Sequence, residues 1–257
     1  MEPSVVEELV VFEPERTRRP GFLTAIAQSQ AEVLEAQRLR YRVFAEEIGA
    51  AIPDNGERID RDEFDPYCEH LIVRERGTGL VVGTYRILTA AQAVHTGGFY
   101  SAREFHLDGL AGLAPRTVEI GRACVDPGYR TGSVIATLWA GLALHLQRSG
   151  YEYVIGCASV PLNDGGRLAT SVYHRVRLER LSPPEWRVRP RCPFPLAAEP
   201  LDPDPAIPTL LKGYLRLGAY VCGDPAWDAA FGSADLLLML PLARMNRRYA
   251  NRFARQG

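Results

Sequence analysis

The sequence predicts an α/β fold with a mixed central β-sheet flanked by helices. Segments with strand-like and helix-like hydrophobic spacing alternate along the chain, which is the order expected of such a sheet. The five consecutive apolar residues at 236–240 are typical of a strand that is buried on both faces. With 257 residues, of which 46% are hydrophobic, the chain is long enough to bury a sizeable core.

Composition argues against several classes of protein. The net charge of −1 gives no general attraction to nucleic acid. The five cysteines are odd in number and lack the spacing of metal ligands, so we expect free thiols and no metal site. The N-terminal residues are acidic and contain no long apolar stretch. A signal peptide is therefore not predicted, and a cytoplasmic location is expected.

The N-terminal half is predicted to contain one helix and three strands. We expect residues 1–20 to form a flexible segment and residues 21–27 to form the first strand. Ser29 and Glu32 make a capping box that starts a helix, and Gly49 ends that helix. The remaining elements are an acidic loop at 50–67 and a hairpin of strands 70–74 and 80–88 around a turn at 76–79.

The C-terminal half is predicted to alternate strands and helices around a proline-rich segment. The regular elements are strands at 117–125 and 153–158 and helices at 133–149, 167–178 and 210–218. Residues 181–208 contain nine prolines in 28 positions, so we expect a long wrapping loop, with a linker as the alternative. Residues 244–255 carry five arginines, with Met245, Tyr249 and Phe253 four residues apart, which predicts a basic amphipathic helix.

The segment from Glu119 to Ser133 combines a strand, a turn and the start of a helix. A helix N-terminus offers free N–H groups, Arg130 adds a fixed charge, and Gly132 lets the backbone approach a ligand. These features predict a phosphate cradle, and an ordinary strand-to-helix turn is the alternative. The segment resembles the acyl-donor loop of the GNAT acyltransferase superfamily, except that Arg130 and Gly132 stand one residue closer together than in that pattern.

The resemblance implies a GNAT-like mixed sheet and an acyl thioester as co-substrate, with no permanently bound cofactor. The shorter spacing favours the single phosphodiester of an acyl carrier protein (ACP) over the pyrophosphate of CoA. The donor-binding residues that it implies are Cys124, Val125, Tyr129, Arg130, Thr131, Gly132 and Ser133.

A second set of residues is charged or aromatic and is spread over the first half of the chain. Its members are Arg40, Phe44, Asp62, Asp65, Arg86, Glu119 and Arg122. Singly, each has an ordinary explanation, such as a solvated charge, a loop cap or a structural ion pair. As a series they resemble the acyl-homoserine lactone synthases, although the tryptophan that those enzymes carry after the phenylalanine is missing here.

Longer motifs resemble the ornithine Nα-acyltransferase branch of the superfamily. They are found at 41–49, 82–86, 98–101, 138–141, 156–159, 211–218 and 234–241. The resemblance spans about residues 31–249. It implies a single acyltransferase domain that moves a fatty or 3-hydroxyfatty acyl group from ACP to the α-amine of ornithine, giving a lyso-ornithine lipid. The alternatives are another amino acid, a lactone-synthase-like reaction, an acyl-CoA donor, or a non-catalytic lipid-binding protein.

The expected reaction is attack of a neutral amine on a thioester. Glu119 is the candidate general base, because burial would raise its pKa toward the useful range. A backbone N–H near Val125 would polarise the carbonyl. The resemblance implies Tyr173 as the general acid, with His174 as the rival.

The other predicted roles concern substrate binding. Arg40, Arg86 and Arg122 are expected to hold a carboxylate or to brace the acidic loop. Asp62 and Asp65 are expected to hold an ammonium, and Phe44 and Ser159 to contact the substrate.

Two structural expectations follow. Glu119 and Arg122 face one site only if the strand carries a β-bulge, which Gly121 would accommodate cheaply. Residues 243–257 are expected to contact either the acidic face of ACP or an anionic membrane, with a solvated helix as the alternative.

Overall fold

A computed structural model describes residues 21–53, 56–130 and 132–245 of the protein. The predicted N-terminal segment 1–20, the donor-loop residue Thr131 and the arginine-rich tail beyond Met245 lie outside the described residues. No helix in the described part of the chain is long and apolar enough to cross a membrane.

The described residues form an eight-stranded mixed sheet with helices on it and a separate two-stranded ribbon. The strands are β1 (Phe22–Ile26), β2 (Glu69–Glu75), β3 (Val81–Thr89), β4 (Phe105–His106), β5 (Thr117–Val125), β6 (Tyr153–Pro161), β7 (Arg189–Pro190), β8 (Tyr220–Val221), β9 (Ala226–Asp228) and β10 (Ser233–Pro241). The helices are α1 (Gln30–Tyr41), α2 (Ala90–Ala93), α3 (Ser133–Ser149), α4 (Arg167–Arg180) and α5 (Thr209–Leu217). The main sheet runs β1-β2-β3-β5-β6-β10-β8, with β9 also paired to β10.

Most predicted elements are confirmed. The strand at 117–125 and the helix at 133–149 have the predicted bounds, and all nine residues of β10 are buried, as their apolar run predicted. The sheet is mixed because β5 and β6 are parallel and the other neighbours are antiparallel. The confirmed elements are those whose hydrophobic period is long and regular.

The first helix differs from its prediction in its last turns. Ser29 caps α1 by accepting the Glu32 N–H at 3.3 Å, but the Glu32 carboxylate accepts the N–H of Gln28 at 2.7 Å. After Tyr41 the helix widens into a π-helix over Arg42–Glu47, and Gly49 with φ 80° ends it. Hydrophobic spacing does not distinguish a π turn from an α turn, so the widening was not predicted.

The proline-rich segment lies against the body of the protein. Its backbone N–H groups donate hydrogen bonds to residues outside the segment. The Val188 N–H donates to the Cys222 carbonyl at 2.8 Å, and the Phe194 N–H donates to the Pro225 carbonyl at 3.0 Å. Within it, β7 pairs with β4. Proline has no backbone N–H, so these bonds are made by the residues between the prolines.

The strand β5 carries the predicted bulge. Thr84 of β3 faces Cys124 and Arg86 faces Gly121, so two steps along β3 correspond to three along β5. The residue with the left-handed backbone is Arg122, with φ 50°, rather than Gly121. On the other side of β5, pairing with β6 ends at Glu119 and Ile155, although both strands continue. The cleft between β5 and β6 begins at this point.

Candidate active site

A cavity of about 280 Å³ lies where β5 and β6 stop pairing. Its wall includes four consecutive β5 residues at 120–123 and, from β6, Cys157, Ser159 and Pro161. Of the residues predicted to form the site, Phe44, Arg86, Glu119, Arg122 and Ser159 line this cavity. Side chains from distant parts of the chain therefore meet at the bulge.

Three arginines and three aspartates form one ion-pair network beside the cavity. They are Arg40, Arg86, Arg122, Asp60, Asp62 and Asp65. Arg40 reaches Asp60 at 2.8 Å and Asp65 at 2.6 Å. Arg86 reaches Asp62 at 2.6 Å and Asp65 at 3.1 Å. Arg122 reaches Asp60 at 3.2 Å and Asp62 at 3.3 Å, so each arginine bridges two aspartates.

Pairing gives the members of this network different roles. Arg40 is fully buried and Asp65 is 5% exposed, and neither they nor Asp62 line the cavity. Burial opposes ionisation of Asp65, but Arg40 and Arg86 outweigh it and hold its pKa well below the usual range. The prediction that Asp62 and Asp65 bind a substrate ammonium is therefore not supported, because arginines already neutralise both carboxylates.

The Glu119 carboxylate is buried at the cavity wall and held by backbone donors. One oxygen accepts the N–H of Tyr100 at 2.5 Å and the other accepts the N–H of Ser101 at 2.8 Å. Burial nevertheless raises the pKa of Glu119. A fixed carboxylate with a raised pKa at a cavity wall is suited to accepting a proton.

The structure does not bring Tyr173 to the cavity. This residue packs into a second core cluster formed by α4, α5, β6 and β10, and its hydroxyl donates to the Asp224 carboxylate. His174 lies beside it, with its Nε2 3.0 Å from the Ala197 carbonyl. Sequence position could not show which face of α4 packs against the core. Tyr173 lies on the face that does, and its side chain therefore does not reach the cavity.

Sequence reasoning missed several polar residues of the cavity. These are Tyr100, Glu104, Cys157, Asp228, Ser233 and Asp235. The polar atoms of Glu104, Cys157 and Asp235 lie within 4.8 Å of one another. Burial and the neighbouring carboxylates raise the pKa of Glu104 to about 9, and burial raises the pKa of Asp235 to about 6. Asp235 could have been noticed, since a carboxylate inside an apolar strand is costly without a purpose.

The predicted donor loop lies between β5 and α3. Gly132 adopts φ 85° just before α3, a left-handed conformation that favours glycine. The Arg130 guanidinium pairs with both carboxylate oxygens of Glu47, at 2.5 and 2.8 Å, and its Nε donates to the Val125 carbonyl at 3.2 Å. The Tyr129 ring packs edge-on against Phe22. A phosphate at this loop would have to compete with Glu47 for Arg130.

The remaining donor-loop residues are Cys124, Thr131 and Ser133. The Cys124 thiol is buried, and burial raises its pKa to about 12, so it is not a nucleophile. Ser133 begins α3, and Thr131 lies outside the described residues.

A second cavity of about 600 Å³ adjoins the first and is mostly apolar. Its lining includes Trp139, Leu142 and Leu146 of α3, and it shares Ile120 and Tyr214 with the first cavity. At the shared wall the hydroxyls of Tyr85 and Tyr214 lie 3.0 Å apart. Each methylene buried in such a space contributes about 0.8 kcal/mol, so the cavity is suited to an alkyl chain.

Comparison with known proteins agrees with this geometry. Residues 39–140 match the acetyltransferase (GNAT) domain family. The L-ornithine Nα-acyltransferase of Rhizobium meliloti (strain 1021) is 38% identical over 248 residues, covering 89% of this chain and 82% of the relative. The protein of the same name from Brucella abortus (strain 2308) is 36% identical over 257 residues, covering 89% of each. The chain belongs to the L-ornithine Nα-acyltransferase family.

Solved structures with the same fold are more distant in sequence. The acyl-homoserine lactone synthase BjaI has a TM-score of 0.53 and 15% identity, covering 88% of this chain and 82% of that one. The related synthase LasI has a TM-score of 0.52 and 14% identity, covering 87% and 91%. FeeM, an N-acyl amino acid synthase, has a TM-score of 0.51 and 12% identity, covering 88% and 93%. The predicted GNAT-like sheet is thereby confirmed.

Membership of the L-ornithine Nα-acyltransferase family makes this chain an N-acyltransferase enzyme. Such an enzyme joins an acyl donor to an amine. The predictions of acyl transfer and of the family are confirmed.

Proposed function

We propose that the chain transfers a fatty or 3-hydroxyfatty acyl group from the phosphopantetheine thioester of ACP to the α-amine of L-ornithine, giving a lyso-ornithine lipid. The observation that carries the proposal is the 38% identity over 89% of the chain with a protein named L-ornithine Nα-acyltransferase. The first cavity, with Glu119 at its wall, adds a place for the amine to react.

Glu119 is proposed as the general base. The amine nitrogen attacks the thioester carbonyl, a C–N bond forms and the C–S bond breaks, while the nitrogen loses a proton to Glu119 directly or through a water. The raised pKa of Glu119 supports this role, since an unperturbed carboxylate is a weak base for an amine.

Two further groups are proposed to act on the thioester. Beyond Glu119, β5 and β6 are not paired, so backbone N–H groups on these edges can polarise the carbonyl. The departing thiolate needs a proton, and the Tyr100 hydroxyl lines the cavity whereas Tyr173 does not. We therefore assign the acid role to Tyr100, whose pKa is raised by burial.

The donor is proposed to enter past Arg130 and the N-terminus of α3, with its acyl chain in the second cavity. The N-terminus of α3 begins with no acidic residue in its first turn, which favours a phosphate there. The single Arg130 suits one phosphodiester better than a pyrophosphate, so ACP is the proposed partner.

A thiol-release assay separates the two donors. The purified enzyme with L-ornithine is given acyl-ACP or acyl-CoA of the same chain length, and free thiol is measured over time. The proposal expects release from acyl-ACP to be faster at equal concentration. Equal or faster release from acyl-CoA would overturn the choice of donor, and no release from either would overturn the reaction.

The arginine-rich tail is proposed to contact an anionic membrane, where the lipid product belongs. A basic amphipathic helix binds such surfaces through buried apolar residues and through attraction to anionic headgroups. Deleting residues 246–257 is expected to weaken cosedimentation with anionic vesicles. Unchanged cosedimentation would end the membrane proposal and leave contact with ACP or a solvated tail.

A further inference from the structure

The charged residues at the first cavity fall into two groups that differ in how their charges are compensated. Beside one wall, three arginines and three aspartates neutralise one another through ion pairs. The lining of the same cavity also includes Glu104, Asp228 and Asp235. Among the described residues, no ion pair joins these three carboxylates to an arginine, lysine or histidine.

The three carboxylates come from separate elements and converge. Asp235 lies on β10 opposite Ser159 of β6, and Asp228 ends β9 opposite Ser233. Glu104 follows the short helix that supplies the N–H groups for Glu119. One β-strand position, one strand end and one loop thus place carboxylates around the same space.

Hydrogen bonding leaves part of this cluster unsatisfied. Asp235 is 4% exposed and accepts hydrogen bonds from the Ser233 hydroxyl, at 2.7 Å, and from the Ser159 side chain. The Asp228 carboxylate accepts the N–H groups of Ala230 and Phe231 at 2.9 and 3.1 Å. The Oε2 of Glu104 is enclosed and has no hydrogen-bond partner. A buried carboxylate oxygen without a donor is costly, which indicates that a ligand supplies the missing donor.

We propose that Glu104, Asp228 and Asp235 bind the side-chain ammonium of the amino-acid substrate and so select an amino acid with a second amine. The inference rests on the proposed function and deepens it. An ammonium carries three donors and a positive charge, and it matches three uncompensated carboxylates. With that end held, the α-amine is left to face Glu119 on β5.

Electrostatics within the cluster support the proposal. The pKa of Glu104 rises because of burial first and then because of Asp235 and Asp228, which means that the empty cluster retains a proton. Arg122 is close enough to lower the pKa of Asp235, yet it pairs with Asp60 and Asp62 instead. A substrate ammonium supplies the charge that the network arginines do not.

Cys157 is the fourth polar group of the cluster and bears on the choice between an ammonium and a metal ion. Burial and then Glu104 raise the pKa of this thiol well above its usual value, so it stays protonated. A thiol binds metal as the thiolate, which this environment disfavours. The protonated thiol therefore favours an ammonium over a metal ion. A divalent cation is the competing occupant that the experiment has to distinguish.

The test compares L-ornithine with L-norvaline, which has the same carbon chain but no second amine. The kcat/KM for each amine is measured with acyl-ACP for the wild type and for Glu104→Gln, Asp235→Asn and Asp228→Asn. Loss of a hydrogen bond to a charged group lowers affinity roughly 10- to 150-fold, so the ornithine-to-norvaline ratio is expected to fall by that factor, through the KM for ornithine. Glu179→Gln, an exposed carboxylate on α4, is the matched control and should keep the wild-type ratio.

The outcomes separate this inference from the proposed function. If the wild type acylates ornithine and all three variants keep the wild-type ratio, the ammonium site is wrong while the function stands. If the wild type acylates neither amine, the proposed function itself fails. Two results would show that a metal ion, and not an ammonium, occupies the site. One is an ornithine-to-norvaline ratio that falls only after metal is chelated from the wild type. The other is metal that the wild type retains and Asp235→Asn loses. If a variant at a buried position does not fold, Asp228→Asn still tests the site, because Asp228 is half-buried.

Discussion

Two groups of charged residues at the active-site cavity, the balanced wall and the uncompensated wall, differ in their partners. In the balanced wall Arg40, Arg86 and Arg122 bridge three aspartates, and the network is electrically balanced. In the uncompensated wall Glu104 is half-buried and Asp235 is buried, and no ion pair in the described part of the chain joins either carboxylate to a cation. Burying a charge is costly unless it is paired, so the first wall is explained by folding and the second requires a ligand.

This difference changes the meaning of the sequence motif. The motif residues Arg40 and Asp65 belong to the balanced wall and hold α1 to the acidic loop, while Arg86 and Arg122 of the same network reach the cavity. The uncompensated wall is not part of that motif. A series of charged residues in a sequence therefore predicts where a site lies better than it predicts which charges bind the substrate.

The largest expected effect comes from Glu119, which lines the same cavity. Glu119→Gln keeps the size of the side chain but removes its ability to take a proton, so kcat is expected to fall roughly 10²- to 10⁴-fold. Product formation from acyl-ACP and ornithine is measured by mass spectrometry, with circular dichroism to verify folding. Turnover within threefold of wild type in a folded variant would remove Glu119 as the base.

Breaking the balanced wall is expected to cost stability. Arg40→Met leaves Asp60 and Asp65 buried with one cation fewer, which should lower the free energy of unfolding by about 3–5 kcal/mol. Arg116→Met is the control, because Arg116 pairs with Glu152 at an exposed site and should change the free energy by about 0–1 kcal/mol. Equal urea midpoints for the two variants would show that the buried network does not brace the fold.

The spacing of β5 and β6 beside the cavity can be tested at Gly156. A Cβ at this position would lie 2.3 Å from the Ile120 carbonyl oxygen, so Gly156→Ala should destabilise the protein by about 1–3 kcal/mol. At Gly112 a Cβ would meet nothing within 4 Å, and Gly112→Ala should be close to neutral. Thermal melting of the two variants checks this, and identical melting temperatures would contradict the close approach.

A further effect is expected in the pH dependence of the uncompensated wall. The folded pKa of Glu104, about 9, lies above the ordinary value of about 4.3, so its contribution to stability is present at low pH and is lost as pH rises toward 9. Glu104→Gln stays neutral, so its melting temperature relative to wild type should rise between about pH 5 and pH 9. Glu179→Gln should give a flat difference over that range, and a flat line for Glu104→Gln as well would mean that Glu104 has a normal pKa.

The sequence predicted the architecture well because strands and helices are local patterns. Residues 117–125 and 133–149 show their period and their caps within a few turns. The bulge was also predictable, because Glu119 and Arg122 could share a site only if β5 departed from regular alternation.

The roles of individual charges could not be predicted in this way. Arg40 and Asp65 are 25 positions apart, and no local pattern reports that they meet. Glu104 lies in an irregular segment without a hydrophobic period, and the face of α4 that carries Tyr173 depends on how that helix packs. Pairing, burial and orientation are tertiary properties, and they decide which charge is structural and which is free to bind.

The nitrogen that receives the acyl group tests the central claim most directly. The enzyme is given acyl-ACP and ornithine labelled with ¹⁵N at the α-amine, and the product is analysed by NMR for a proton-bearing amide nitrogen. If the uncompensated carboxylates hold the side-chain ammonium and Glu119 faces the α-amine, the label appears in the amide. An unlabelled amide, formed at the side-chain nitrogen, would contradict this account of the two walls.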